Sequence, residues 1–152
     1  MFLIIHILFG ALIGLSFNSW IFIIPLCILS HFIIDMIPHW DGSFNKYKFH
    51  IFGIADLTKN RFLLSIFDII ISLITIIILL HYYKSWKVIL ASIISISPDI
   101  LNLGYLTKLK NNKYYMIFLR FHSKIQREIG VRNGLIIQGI ILIILIFLLT
   151  IK

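Results

Sequence analysis

Within the run "SHFIIDMIPHWDG", residues 30–42, stand two histidines and two aspartates, in a chain that is otherwise strongly apolar. His31 and Asp35 are four apart. On a helix they project from one face, as two metal ligands, or a ligand and the carboxylate that orients it, must. Pro38 cannot continue ordinary helix hydrogen bonding, so a break is expected after Ile37, with His39 and Asp41 turning back over the first pair. Imidazole and carboxylate donors without a thiolate suit a divalent metal, zinc first, with manganese and iron as alternatives. Three further in-span groups, His6, Asp68 and Asp99, bring the total to more than one tetrahedral ion needs, so two metals, or one metal and a general base, both fit. Pro98 directly precedes Asp99 and marks a second bend, where backbone carbonyls are freed near the polar centre.

Each residue also has a plainer role. His6 serves equally as a hydrogen-bonded packing residue, Asp68 as a partner of Arg61, and Asp41 as a turn residue before Gly42. His50 and Asp56 read as solvated loop residues. His122 either roofs the same site or belongs to an amphipathic helix face. Cys27 is the single cysteine, so it forms no intramolecular disulfide and reads as packing.

The elements that must position these groups follow from composition. Of 152 residues, 60% are apolar and 13% charged, against roughly a quarter charged in soluble domains. An all-α integral-membrane bundle in one domain, 1–152, is therefore expected. Its five spans fall at about 2–17, 20–37, 61–83, 86–105 and 131–151, and an amphipathic interfacial helix at about 113–129 ends at Gly130. The first span lacks a basic flank before it and an A-x-A pattern after it, so it reads as a retained helix. Within it, Gly10 and Gly14 are spaced to let another helix approach closely.

Five alternating spans assign the loops to two sides. Eleven Lys and Arg residues (46, 48, 59, 61, 108, 110, 113, 120, 124, 127 and 132) share the side of the N-terminus, against Lys84, Lys87 and Lys152 on the other. The positive-inside bias makes the N-terminal side cytoplasmic and the C-terminus external. The net charge of +8 is thereby explained without a nucleic-acid partner. On this parity His6, His31, Asp35, His39, Asp68 and Asp99 all reach the cytoplasmic leaflet. A buried charge costs about 2.5–3.5 kcal/mol at a span centre, so the clustering implies a shared polar site.

The run "HFIIDMIPHWD", with "HILFGALIG" before it and an in-span Asp68, "SPDI" and "FHSKIQREIGVRNGLIIQ" after it, resembles a group of small bacterial polytopic membrane proteins. These are related to the LexA-binding, inner-membrane-associated metal-dependent hydrolases. The resemblance covers nearly the whole chain. It implies the bacterial inner membrane and a metal site of His6, His31, Asp35, His39, Asp68 and Asp99, with His122 and Gln126 as additional candidates. Relatives carry paired Asp and His after the proline, where this chain has "SPDI".

These observations together lead to an expected metal-dependent hydrolase that acts on a membrane lipid or phosphoester at the cytoplasmic leaflet. His31, Asp35 and His39 would be ligands, Asp68 and Asp99 ligands or general base, and His6 a ligand or proton donor. No G-x-S-x-G motif is present, which favours water as the nucleophile. The alternatives are a protein that transports or otherwise handles ions, and a non-catalytic scaffold stabilised by metal. Composition names neither the oligomeric state nor the substrate.

Overall fold

In the computed structural model, which describes residues 1–40 and 59–152, α1 (Leu3–Ser16) packs against α2 (Trp20–Asp35), α3 (Lys59–Tyr83), α4 (Trp86–Asn102) and α6 (Val131–Thr150). Two 3-10 turns, Leu103–Leu106 and Lys108–Asn111, lead from α4 into α5 (Lys113–Ile125). Among the described residues the chain is all-helical, with six α-helices and no strands. Asp41, His50 and Asp56 lie outside the described residues.

The most extensive packing joins α1 to α4, and its cause is visible in the glycines. A Cβ on Gly10 would lie 2.7 Å from the Ala91 carbonyl oxygen and 2.8 Å from Ser92 Cα. One on Gly14 would lie 2.9 Å from Ala91 Cβ. Two missing side chains thus let the helices approach to backbone contact. Ser92 Oγ uses that proximity to donate to the Ile7 carbonyl at 3.0 Å. The expectation that "GALIG" receives another helix is met, and the helix is α4.

The helices reverse the usual arrangement of amphipathic surfaces. On α2 the buried set is Ile23, Cys27, Ser30, His31, Ile34 and Asp35, one face at helical spacing. Ile21, Ile24, Leu29 and Ile33 point outward, Ile21 at 79% exposure. On α2 the polar groups are therefore inside, together with Ile23 and Ile34, while most of its large apolar residues face out.

Two helices, α3 over Phe62–Tyr83 and α6, are long and apolar enough to cross a membrane. Only 11% and 22% of their most apolar windows are buried within the protein, unlike the core helix of a soluble fold. The other three expected spans are shorter. At 14, 16 and 17 residues, α1, α2 and α4 reach about 21–26 Å against ~30 Å of hydrocarbon.

The ends differ from the expected ones for local reasons. α2 stops at Asp35 with Met36 as its cap, two residues before Ile37. α4 stops at Asn102 and tightens into 3-10 turns instead of continuing to 105. α5 begins where Asn112 Oδ1 accepts from the Tyr114 and Tyr115 amides at 2.9 and 3.2 Å. It ends at Ile125, four residues short of 129, because the following chain pairs with the α2 exit. His39 N donates to the Arg127 carbonyl at 3.0 Å, and Ile129 N to the His39 carbonyl at 2.9 Å. Gly130 caps the start of α6 instead of the end of α5.

Candidate metal centre

The last turns of α2 and α4 meet at one end of the bundle, and α5 lies across them. The C-termini of α2 and α4 carry unsatisfied carbonyls and the negative ends of their macrodipoles, which favour positive charge beside them. Into it α2 delivers His31 and Asp35, α4 delivers Asp99, and α5 delivers His122.

Four donor atoms converge. His31 Nε2 lies 3.1 Å from His122 Nε2, 3.4 Å from Asp35 Oδ2 and 3.7 Å from Asp99 Oδ1. His122 Nε2 lies 3.1 Å from Asp35 Oδ2 and 3.8 Å from Asp99 Oδ1. Zinc bonds of ~2.0–2.2 Å give a tetrahedron whose edges are about 3.3–3.6 Å. The observed separations straddle that interval. These four residues could hold a metal ion.

Proton positions sharpen the case. Nδ1 of His31 is 2.9 Å from the Ser95 carbonyl oxygen, which can only accept, so Nδ1 carries the hydrogen. Nδ1 of His122 is 3.1 Å from Asn102 Oδ1 and donates in the same way. In neutral imidazoles both Nε2 atoms are then bare lone pairs. Two bare nitrogens and two carboxylate oxygens facing one another, three of the four side chains essentially buried, repel unless a metal ion, or a proton on an Nε2, lies between them. The residues fit a divalent ion by donor chemistry as well as by spacing.

Around the four donors, the structure places the other candidates as follows. His6 is fully buried, stacks on the His31 ring with centroids 4.2 Å apart, and brings Nε2 to 3.2 Å from Asp35 Oδ1. Among the described residues neither ring nitrogen of His6 has a hydrogen-bond partner. His6 therefore flanks the carboxylate oxygen that faces away from the cluster. The α-amino nitrogen of Met1 is 3.3 Å from that same oxygen. Gln126 Nε2 donates to Asp35 Oδ2 at 3.4 Å, so Gln126 lies beside the cluster that His122 joins.

Asp68 and His39 are not among the converging donors. Asp68 Oδ2 accepts from the Leu3 amide at 2.8 Å and caps the positive end of α1. His39 is buried with Nδ1 donating to the Ile37 carbonyl at 2.8 Å, and its backbone ties the α2 exit to residues 127–129.

Three contributors carry no signal in the motif. Asn102 orients His122, but at a helix end it reads as a loop residue. Ser95 acts through its backbone, three residues before Pro98, while Ser97 Oγ donates to the Ile94 carbonyl that the proline leaves without an amide. Gln138 accepts from the Phe2 amide at 3.2 Å and donates to the Trp40 carbonyl at 2.9 Å. As an amide two turns inside an apolar span it could have been singled out. Replacing Asn102 with Leu should weaken the affinity for a divalent metal held by these donors about 10- to 100-fold with the four donors intact, the usual cost of losing such a support. Chelator competition on the purified protein measures it.

Compared with protein-family models, curated proteins and solved structures, the chain matches none of them, and the character of the site rests on this constellation of donors.

Proposed function

We propose that the chain is a multi-pass membrane metalloprotein that hydrolyses a lipid or phosphoester at the cytoplasmic leaflet, N-terminus inside. The observation that supports it is the convergence of His31 Nε2, His122 Nε2, Asp35 Oδ2 and Asp99 Oδ1 with both Nδ1 protons already committed elsewhere. The first three form the tighter triangle, 3.1–3.4 Å on each side. They would hold the ion, zinc by donor type. When bound, the ion supplies Lewis acidity and lowers the pKa of a nearby water.

Asp99 differs from the other three. Its Oδ1 stands farther off, at 3.7 and 3.8 Å from the two nitrogens, and its side chain is 21% exposed while the others are at most 2%. It could supply a fourth donor, and as the more distant and more exposed group it is the one placed to serve as general base. Its carboxylate then accepts the proton of the attacking water as the new bond to phosphorus or acyl carbon forms. It returns that proton to the leaving oxygen as the old bond breaks. Basic residues exposed at this end, Lys108, Lys110, Arg127 and Arg132 among them, favour an anionic headgroup.

Asp99→Asn should keep zinc near one equivalent while lowering turnover of phosphoester or acyl-ester lipids at least a hundredfold. Metal analysis together with a lipid-turnover assay in mixed micelles decides it. Full turnover by the variant would refute the role of Asp99. A wild type that binds zinc and turns over no lipid would leave the second reading, a metal-stabilised scaffold, which the filling of all four corners by protein donors favours.

A further inference from the structure

The ligand His122 comes from α5, the shortest of the described α-helices, which lies across the end of the bundle. α5 is fastened by buried Leu119, by His122 to Asn102, His31 and Asp35, by the Tyr115 hydroxyl donating to the Leu101 carbonyl at 2.9 Å, and by Phe118 and Phe121 edge-on to Phe32. At about 100° per residue, Lys113, Arg120 and Lys124 lie within ~40° of one another, on the side opposite His122. All three are exposed. Beside them on the same outward face are Ile117 and Phe121, each 53% exposed, and Tyr114 at 81%. Large apolar groups adjoining a row of bases, on a helix at the end of an apolar bundle, match the boundary between acyl chains and phosphates.

We propose that this face of α5 docks on the anionic phospholipid headgroups of the leaflet, and that docking is coupled to metal binding because the same helix carries His122 inward. The proposal rests on the metal site described above. Headgroups that hold α5 down keep His122 Nε2 near its partners, so less ordering remains for the metal to impose. By reciprocity, metal bound to His122 draws α5 onto the headgroups. The occupant is the lipid itself: three bases with apolar neighbours complement a phosphate layer over hydrocarbon, and a protein partner would not need the apolar residues beside the charges to reach a common depth.

The test uses the intact protein in nanodiscs of phosphatidylcholine with and without phosphatidylglycerol. Zinc affinity, read by chelator competition, should be about tenfold tighter with the anionic lipid, a coupling of ordinary size. The difference should shrink at high salt. It should vanish in the combined variant Lys113→Gln, Arg120→Gln and Lys124→Gln, whose side chains are exposed and whose affinity in neutral lipid should stay at the wild-type value. A nitroxide on Tyr114→Cys should lose mobility when zinc is added in anionic discs. Equal zinc affinity in both lipids, or a lipid effect that survives in the triple variant, overturns the coupling and leaves the metal site standing. No zinc binding in either disc overturns the site and the coupling together.

Discussion

His31→Ala is expected to abolish stoichiometric zinc binding and to remove the stabilisation that zinc confers. The imidazole is fully buried, and its Nε2 is within 3.7 Å of the other three donors, so its loss removes the nitrogen that all three face. With a donor gone, the affinity should fall more than the 10- to 100-fold that follows loss of a supporting partner. Thermal stability provides the second readout. At a zinc concentration about a hundred times the dissociation constant, a protein that binds only when folded gains about 2.7 kcal/mol. The wild-type melting temperature should therefore rise with zinc and drop with a chelator, while that of the variant should respond to neither.

The metal-free comparison has an unusual sign. Without a cation, the wild type holds two bare nitrogens against two carboxylates at 3.1–3.8 Å, and removing one ring relieves part of that repulsion. Filling lost with the ring pulls the other way, since a large-to-small change in a packed interior costs a few kcal/mol. The variant should thus be destabilised without metal by less than an ordinary buried truncation, and by considerably more relative to the zinc-loaded wild type. Melting curves with chelator and with zinc separate the two contributions. A zinc-dependent shift in His31→Ala equal to that of the wild type would refute the assignment of His31 as a ligand.

What the chain discloses before folding follows from where its polar atoms lie. The four-residue step from His31 to Asp35 and the isolation of Asp99 among apolar neighbours are legible because burying either group without a partner is expensive. Joining them to His122 needs the turn geometry of residues 103–112, and those two 3-10 turns have no apolar periodicity to reveal them. The placement of Asp68 was hidden for a different reason. An in-span carboxylate has the same cost of burial whether it meets a metal or the first amides of a helix, and here it meets the Leu3 amide. Helix α2 reads as uniformly apolar because both its faces are, and only the placement of Ser30, His31 and Asp35 on one side discloses which face turns inward. Span lengths were overestimated where the apolar run continues beyond the last helical residue, as at Met36 and Ile37 after α2.

Gly10→Leu is expected to block assembly of the bundle and, with it, metal binding, although Gly10 has no polar atom in its side chain and is no ligand. The first added carbon alone would meet the Ala91 carbonyl oxygen at 2.7 Å and Ser92 Cα and Ser95 Cβ at 2.8 Å. Two of these three are backbone atoms of α4, which can yield only if the helix moves. Ser95 is also the residue whose carbonyl takes the His31 Nδ1 hydrogen, so displacement of α4 at this contact turns the His31 ring and carries Asp99 away with it. Gly10→Ala should cost about 1–3 kcal/mol, the range of a buried overpacking, and weaken zinc binding in proportion to the shift. Gly14→Ala should be milder, because its closest neighbour is the Ala91 methyl at 2.9 Å and the nearest backbone atom is Val88 Cα at 3.1 Å. Gly139→Ala has nothing within 4 Å of the new carbon and should be neutral or stabilising, as alanine favours the helix by about 0.8–1.0 kcal/mol over glycine. The order Gly10 worst, Gly14 intermediate, Gly139 neutral, read from melting temperature and zinc content together, tests whether backbone contact between α1 and α4 positions the proposed metal centre. If Gly10→Ala and Gly139→Ala behave alike, the centre is held in place by something other than that contact.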